Sequence, residues 1–245
     1  FFLKGENSGA LGTDSSGNTN TFTVGGTPTQ TIDTPSNVFA TMNPLDKSNG
    51  AISVFTNGNT TTTAPVAGGV VTAERTTLGV SKGKWYAEFK LEATSDGTRI
   101  GIIDMAQLDF PTVTNPYAFT QMYTYQAHTG YKQNDSTTTA YGATYTTGDI
   151  ISIAFDADNG SITFYKNGAT QGVAFSGLST SITWGFVSTL YDSSSVSWNF
   201  GNGYFGTTAV ASAENPDDGI GIFEYDVPAG YRALCTKSIN AEEYS

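Results

Sequence analysis

The chain has 245 residues, 38% of them hydrophobic and 13% charged, with a formal net charge of −11. Such a surface repels phosphate backbones and no run of Lys or Arg offers a local exception, so nucleic acid is not an expected partner. No stretch approaches the length of a transmembrane helix, so no membrane insertion is expected, and the lone Cys235 rules out an intrachain disulfide and a Cys-rich zinc site.

Thr, Ser, Asn and Gly fill the spaces between apolar runs, a composition that favours strands and tight turns over helices. The chain opens at Phe1 rather than Met, so residues upstream are expected to be missing. Residues 1–36 read as an extended connector or the edge of an upstream domain. Two turn clusters stand there, Asp14-Ser15-Ser16-Gly17-Asn18 and Gly25-Gly26-Thr27-Pro28, with one short strand expected at Phe22 and Val24. The apolar residues of this segment are too few for a core and too many for a free linker, so it is expected to be ordered against a neighbouring unit.

From Ala51 the pattern becomes strand, turn, strand. Ala51 to Phe55 followed by Asn57-Gly58 is a hairpin signal, because Asn-Gly accepts the positive φ angles of tight turns. In the run from Trp85 to Glu92, Trp85, Ala87, Phe89 and Leu91 share one face, and Tyr86, Glu88, Lys90 and Glu92 take the other. That period of two predicts a strand with one wet side. Ile151, Ile153 and Phe155 alternate, Asp156 to Gly160 turns, Ile162 and Phe164 alternate back, and Lys166-Asn167-Gly168 turns again. Further on, Ile182, Trp184 and Phe186 alternate, as do Val196, Trp198 and Phe200. Repeated hairpins with one apolar face must stack two sheets to bury it, so the fold class is all-β, a two-sheet antiparallel sandwich with at most one or two helical turns.

Gly83-Lys84-Trp85-Tyr86-Ala87-Glu88, Arg99-Ile100-Gly101-Ile102 and the block from Gly148 to Gly168 resemble, in that order, three characteristic strands of the SPRY family. The likeness places the sandwich at residues 37–237, with 238–245 as a C-terminal tail. A narrower resemblance runs to bacteriophage virion proteins. Residues 14–24, 34–45 and 228–236 are similar to segments that accompany SPRY-like domains in tail-associated proteins. This implies a virion protein of the tail-fibre or appendage type, localised to the particle. Residues Ala211 to Asp218 form an insertion longer than the family pattern has.

Chemistry is sparse. A Ser-His-Asp triad would depend on His128, the single histidine, which sits in an aromatic loop without a nucleophile motif. Glu224 and Asp226 would share a face if they lay on a strand, which is the kind of pair a glycosidase needs, but a solvated edge, with Tyr225 and Val227 on the buried side, accounts for them better. Asp156-Ala157-Asp158-Asn159-Gly160 lacks the spacing and terminal Glu of a calcium loop and reads as a turn. No catalytic residue, metal ligand or cofactor is expected.

Aromatics are the better candidates for recognition, because rings with polar edges bind at low entropy cost. Tyr117, Phe119, Tyr123, Tyr125 and Tyr131 crowd one irregular region around His128. In peptide-binding SPRY domains, one pocket aromatic follows the "IGIA" strand and another follows the "VSxxW" strand. By that resemblance Tyr117 takes the first position and Tyr191 the second, where Trp is usual. The candidate ligand-binding residues are thus Tyr117, Tyr123, Tyr125, His128, Tyr131 and Tyr191. The expected function is a non-catalytic virion structural protein whose loops bind other virion proteins or a host surface protein or glycan, within a homo-oligomer. The alternatives are a capsid-surface decoration protein and a glycan-degrading depolymerase.

Overall fold

The computed structural model describes every residue except 27, 29, 31, 49–52, 66–70, 108–118 and 245. It divides into two units, Phe1–Thr34 and Pro35–Ser245.

The first unit is tied by the Asp14 carboxylate, which accepts from the Phe2, Ser16 and Asn20 backbone N–H groups and from the Ser16 hydroxyl. Leu3 bridges Asp14, and the Phe1 and Phe22 rings meet edge to face at 4.8 Å. Phe22 and Val24 form no strand, contrary to the expectation from their alternation, and both remain exposed. Thr23 between them belongs to a loop tied by the Phe22 N–H, which donates to the Gly12 carbonyl.

The second unit begins with β1 (Met42–Lys47), β2 (Val54–Thr56), β3 (Thr61–Thr63), β4 (Val71–Thr76), β5 (Lys84–Ala93) and β6 (Arg99–Asp104). Next come β7 (Met122–Gln126), β8 (Tyr131–Asn134), β9 (Thr137–Ala140), β10 (Ile150–Asp156), β11 (Ser161–Lys166) and β12 (Ala169–Phe175). It ends with β13 (Trp184–Tyr191), β14 (Ser195–Asn199), β15 (Tyr204–Phe205), β16 (Thr208–Ala209), β17 (Arg232–Ala233) and α1 (Thr236–Glu243).

One sheet runs β1-β4-β13-β6-β7-β8-β9. The other runs β12-β11-β10-β5-β14-β3-β2, with β17 parallel to β5 and the other strand pairings among the described residues antiparallel. Turn chemistry sets the register of the hairpins. Asn167 and Gly168 both take positive φ, and Lys166 pairs Ala169 across them. Asp156 closes its own turn by accepting from the Asn159 backbone and side-chain N–H groups, while Asp158 accepts from the Gly83 N–H. These carboxylates hold turns.

Trp85, Phe89, Ile151, Ile153, Ile162, Phe164, Trp184 and Trp198 are all buried in one cluster between the sheets. The polar side of β5 departs from the one-wet-side expectation. Tyr86 and Glu88 are fully buried, because residues 222–227 return across them. Tyr86 meets Phe223 at 4.9 Å, and Glu88 accepts from the backbone N–H groups of Glu224 and Tyr225 at 2.8 and 2.9 Å. Asn199 and the Tyr86 hydroxyl supply two more donors to the same carboxylate. Burial pushes Glu88 up to about 7, against the opposing pull of those N–H groups.

The Ala211–Asp218 insertion folds back through a Glu214–Phe223 bridge, and the C-terminal residues 236–243 are helical rather than a bare tail. No helix among the described residues is long and apolar enough to cross a membrane.

Candidate functional site

The sequence-nominated residues separate by strand side. Along β7 the side chains alternate, so Tyr123 and Tyr125 point between the sheets while Thr124 and Gln126 point away. Tyr125 is fully buried, its ring 5.2 Å from Tyr141, 5.0 Å from Tyr145 and 5.2 Å from Phe164, and its hydroxyl donates to the Ala143 carbonyl. Tyr123 packs against Phe175 and Trp184. The fully buried Tyr125 is structural, and the reading of it as a recognition residue is corrected accordingly, because the face of β7 that it shares with the half-buried Tyr123 is turned to the core. Tyr131 is exposed on β8 but does not line the groove described next, and Tyr117 lies outside the described residues.

The structure brings two nominated residues together. His128, exposed after β7, and Tyr191, half-buried at the end of β13, line one groove of about 260 Å³ on the outer side of the sheet. Val71 adds an apolar wall, and Asp96 and Gly97 close one end. Antiparallel pairing creates this juxtaposition: Thr189 of β13 sits across from Arg99 of β6, and Arg99 across from Gln126 of β7. The three strands thus deliver Tyr191, the 94–98 loop and His128 to one rim.

The rim is held by side chains that are already engaged. Arg99 donates through Nε to Gln133 at 2.7 Å and through a terminal nitrogen to the Gly97 carbonyl at 3.0 Å. Thr189 donates to the same carbonyl, and the Ser95 hydroxyl donates to the Tyr191 carbonyl. Asp192 and Ser193, both at positive φ, turn the chain sharply after Tyr191 and leave its ring at the edge. A second cavity of about 330 Å³ adjoins Asp96 and His128 and is also lined by Thr94, Ser95, Thr144, Tyr145, Thr146 and Lys166. Asp96 and His128 form the wall shared by the two cavities.

Sequence reading missed Arg99, Gln126 and Asp96. A faint signal existed for two of them: Arg99 opens an otherwise apolar run, and Gln126 ends a strand whose alternate residues are tyrosines. Nothing local marks Asp96. The rim offers an imidazole, a carboxylate, a guanidinium, an amide and an aromatic edge, a set suited to holding a ligand. Glu224 and Asp226 lie off any strand, and the Glu224 carboxylate accepts from the Ala211 N–H at 2.6 Å, fastening the insertion. No cluster of metal-ligating side chains occurs among the described residues.

Residues 84–203 match the family model of the SPRY domain. The crystal structure of the SPRY domain of human HERC1 is similar to this chain with a TM-score of 0.53 at 20% identity, covering 64% of this chain and 96% of that one. At that identity the likeness shows the fold, and together with the family match it shows that the chain carries a SPRY domain. The matched stretch runs from β5 to just before β15 and contains His128 and Tyr191.

Proposed function

We propose that this SPRY-domain chain is a non-catalytic binding module of a bacteriophage particle, of tail-fibre or appendage type, whose groove between His128 and Tyr191 docks a protein segment. The partner is a neighbouring virion subunit or a host surface protein, and the chain works as one copy in a symmetric homo-oligomer. The observation that carries the binding reading is the groove itself: an aromatic edge, an apolar wall and an imidazole on a rim that Arg99 and Thr189 hold in place through Gln133 and the Gly97 carbonyl. A rim fixed in advance lowers the ordering cost of binding. The virion reading is supported by the resemblances at residues 14–24, 34–45 and 228–236, outside the family-matched stretch.

Labelling the chain in purified particles and imaging the label tests the placement. Label at the tail supports the appendage reading; label across the capsid favours a decoration protein, and no label defeats both. Tyr191→Ala tests the groove, since truncating an aromatic anchor commonly costs 2 kcal/mol or more of binding, roughly a thirtyfold loss. Adsorption and incorporation both unchanged in that variant would count against the groove. New reducing ends released from host polysaccharide, lost on Glu224→Gln, would restore the depolymerase alternative.

A further inference from the structure

We infer that Gln126 positions His128 as a fixed hydrogen-bond donor, Nε2–H outward, so that the groove takes a neutral acceptor such as a peptide carbonyl. This rests on the groove reading above and specifies the ligand group that reading leaves open.

The argument starts at Thr129. Its hydroxyl oxygen accepts from the Tyr131 N–H at 3.2 Å, which leaves the hydroxyl proton free to donate, and it does so to Gln126 Oε1 at 2.8 Å. The other end of the same amide, Nε2, donates to the Asp96 carbonyl at 3.3 Å. Flipping the Gln126 amide would set its oxygen against that carbonyl oxygen, two acceptors with no proton between them. The orientation of Gln126 is therefore determined by its neighbours.

The second proton of the Gln126 amide nitrogen points at His128 Nδ1, 3.2 Å away. An amide nitrogen cannot accept, so Nδ1 accepts and the neutral imidazole carries its proton on Nε2. Gln126 is itself 6% exposed, and Asp96 and Thr129 bond the two ends of its amide, so this geometry is built into the rim. Nε2 sits across Cε1 from Nδ1, so its N–H diverges widely from the Nδ1 lone pair, and His128 is exposed on the wall between the two cavities. A donor of fixed direction in that position selects an acceptor. The Asp96 carboxylate and the Arg99 guanidinium line the same groove, so their opposite charges offset one another and a neutral acceptor enters without a net charge against it.

His128 is the chain's single histidine, so its ring nitrogens give an unambiguous long-range proton–nitrogen correlation spectrum. At about pH 9, above the ordinary imidazole range, the expected result is an Nε2–H ring. Gln126→Glu, whose carboxylate accepts only, should move the proton to Nδ1. Gln126→Leu should release the ring to a tautomer average, and it serves if the Glu variant fails to fold. A wild-type Nδ1–H ring, or one tautomer in all three proteins, overturns the positioning role.

The ligand class is tested with N-acetylglycine N-methylamide, acetate and glucose at equal concentration. The capped peptide should shift the His128 Nε2 signal furthest. A larger shift with acetate overturns the neutral-acceptor class, and a larger shift with glucose makes the ligand a glycan. If the capped peptide moves neither His128 nor Tyr191 while the tautomer is as stated, the groove reading falls and the positioning of His128 stands.

Discussion

Phe39 and Cys235 form an antiparallel bridge that joins the two segments flanking the family-matched stretch. Around it, the Ala40 N–H donates to the Leu234 carbonyl at 2.9 Å and the Thr236 N–H to the Val38 carbonyl at 3.0 Å. The Phe39 ring is buried against Gly201, where an added Cβ would come within 2.6 Å of Cε1. Gly201 also takes φ +116, a backbone region open almost only to glycine. The segments that set this chain apart from the matched stretch are thus structural parts of its sandwich.

Phe39→Ala should therefore destabilise the second unit by about 3–5 kcal/mol, the usual cost of emptying a buried aromatic site. Urea unfolding of the variant against the parent measures it. A loss under about 1 kcal/mol, no larger than a typical point mutation, would mean that residues 37–40 and 234–236 only rest on the sandwich.

Glu74 gives a pH dependence of defined sign. It is buried on β4, where the Ser53 hydroxyl donates to one carboxyl oxygen, and burial raises its pKa from 4.5 to about 7. Between pH 4.5 and 7 the unfolded chain releases this proton first, so the group's effect on stability becomes increasingly unfavourable as pH rises and is constant above that window. Glu74→Gln removes the titration while keeping the shape. Relative to that variant, the parent should lose about 3 kcal/mol across the window, read by urea melts at several pH values. A constant difference between the two proteins would show that Glu74 does not titrate there.

The alternation of Trp85 with Phe89, and of Ile151 with Phe155, placed the core correctly, because a strand's burial pattern is a local property of period two. Tyr86 and Glu88 illustrate the limit. Their side of β5 looks solvated until a segment more than 130 residues later returns across it. Within the candidate groove, His128 was legible as the single histidine of an aromatic loop and Tyr191 through its place in the family resemblance. Gln126 and Arg99 left only a faint local signal, since their roles arise from cross-strand pairing that local composition does not encode.

Gly101 occupies the outward side of β6, where a Cβ would lie 1.8 Å from the Tyr123 carbonyl oxygen and 2.8 Å from Thr124 Cα. Both are backbone atoms of the paired strand, so no side-chain rotation relieves the clash. Gly101→Ala should separate β6 from β7 and disturb the rim that these strands deliver. The expected outcome is poor soluble yield, or a urea midpoint well below the parent's. A soluble protein with the parent's midpoint would show that the two strands tolerate a wider spacing.

The first unit makes its own prediction through Asp14. The Ser16 hydroxyl is the leading cause that holds this carboxyl well below the usual range, helped by the backbone N–H groups of Phe2, Ser16 and Asn20. A depressed pKa contributes stability above the ordinary carboxylate value of 3.8 and loses it only as pH falls through the folded-state value. The loop should therefore keep its conformation at pH values where free aspartate is already protonated. The Ser16 and Asn20 amide resonances report it directly, because each N–H donates to this carboxylate. They should stay in place as pH falls through 4, and Asp14→Asn should shift them upfield at neutral pH by replacing a charged acceptor with a neutral one. If instead both amides titrate near pH 4, Asp14 is an ordinary surface carboxylate and the loop is tied by its backbone alone.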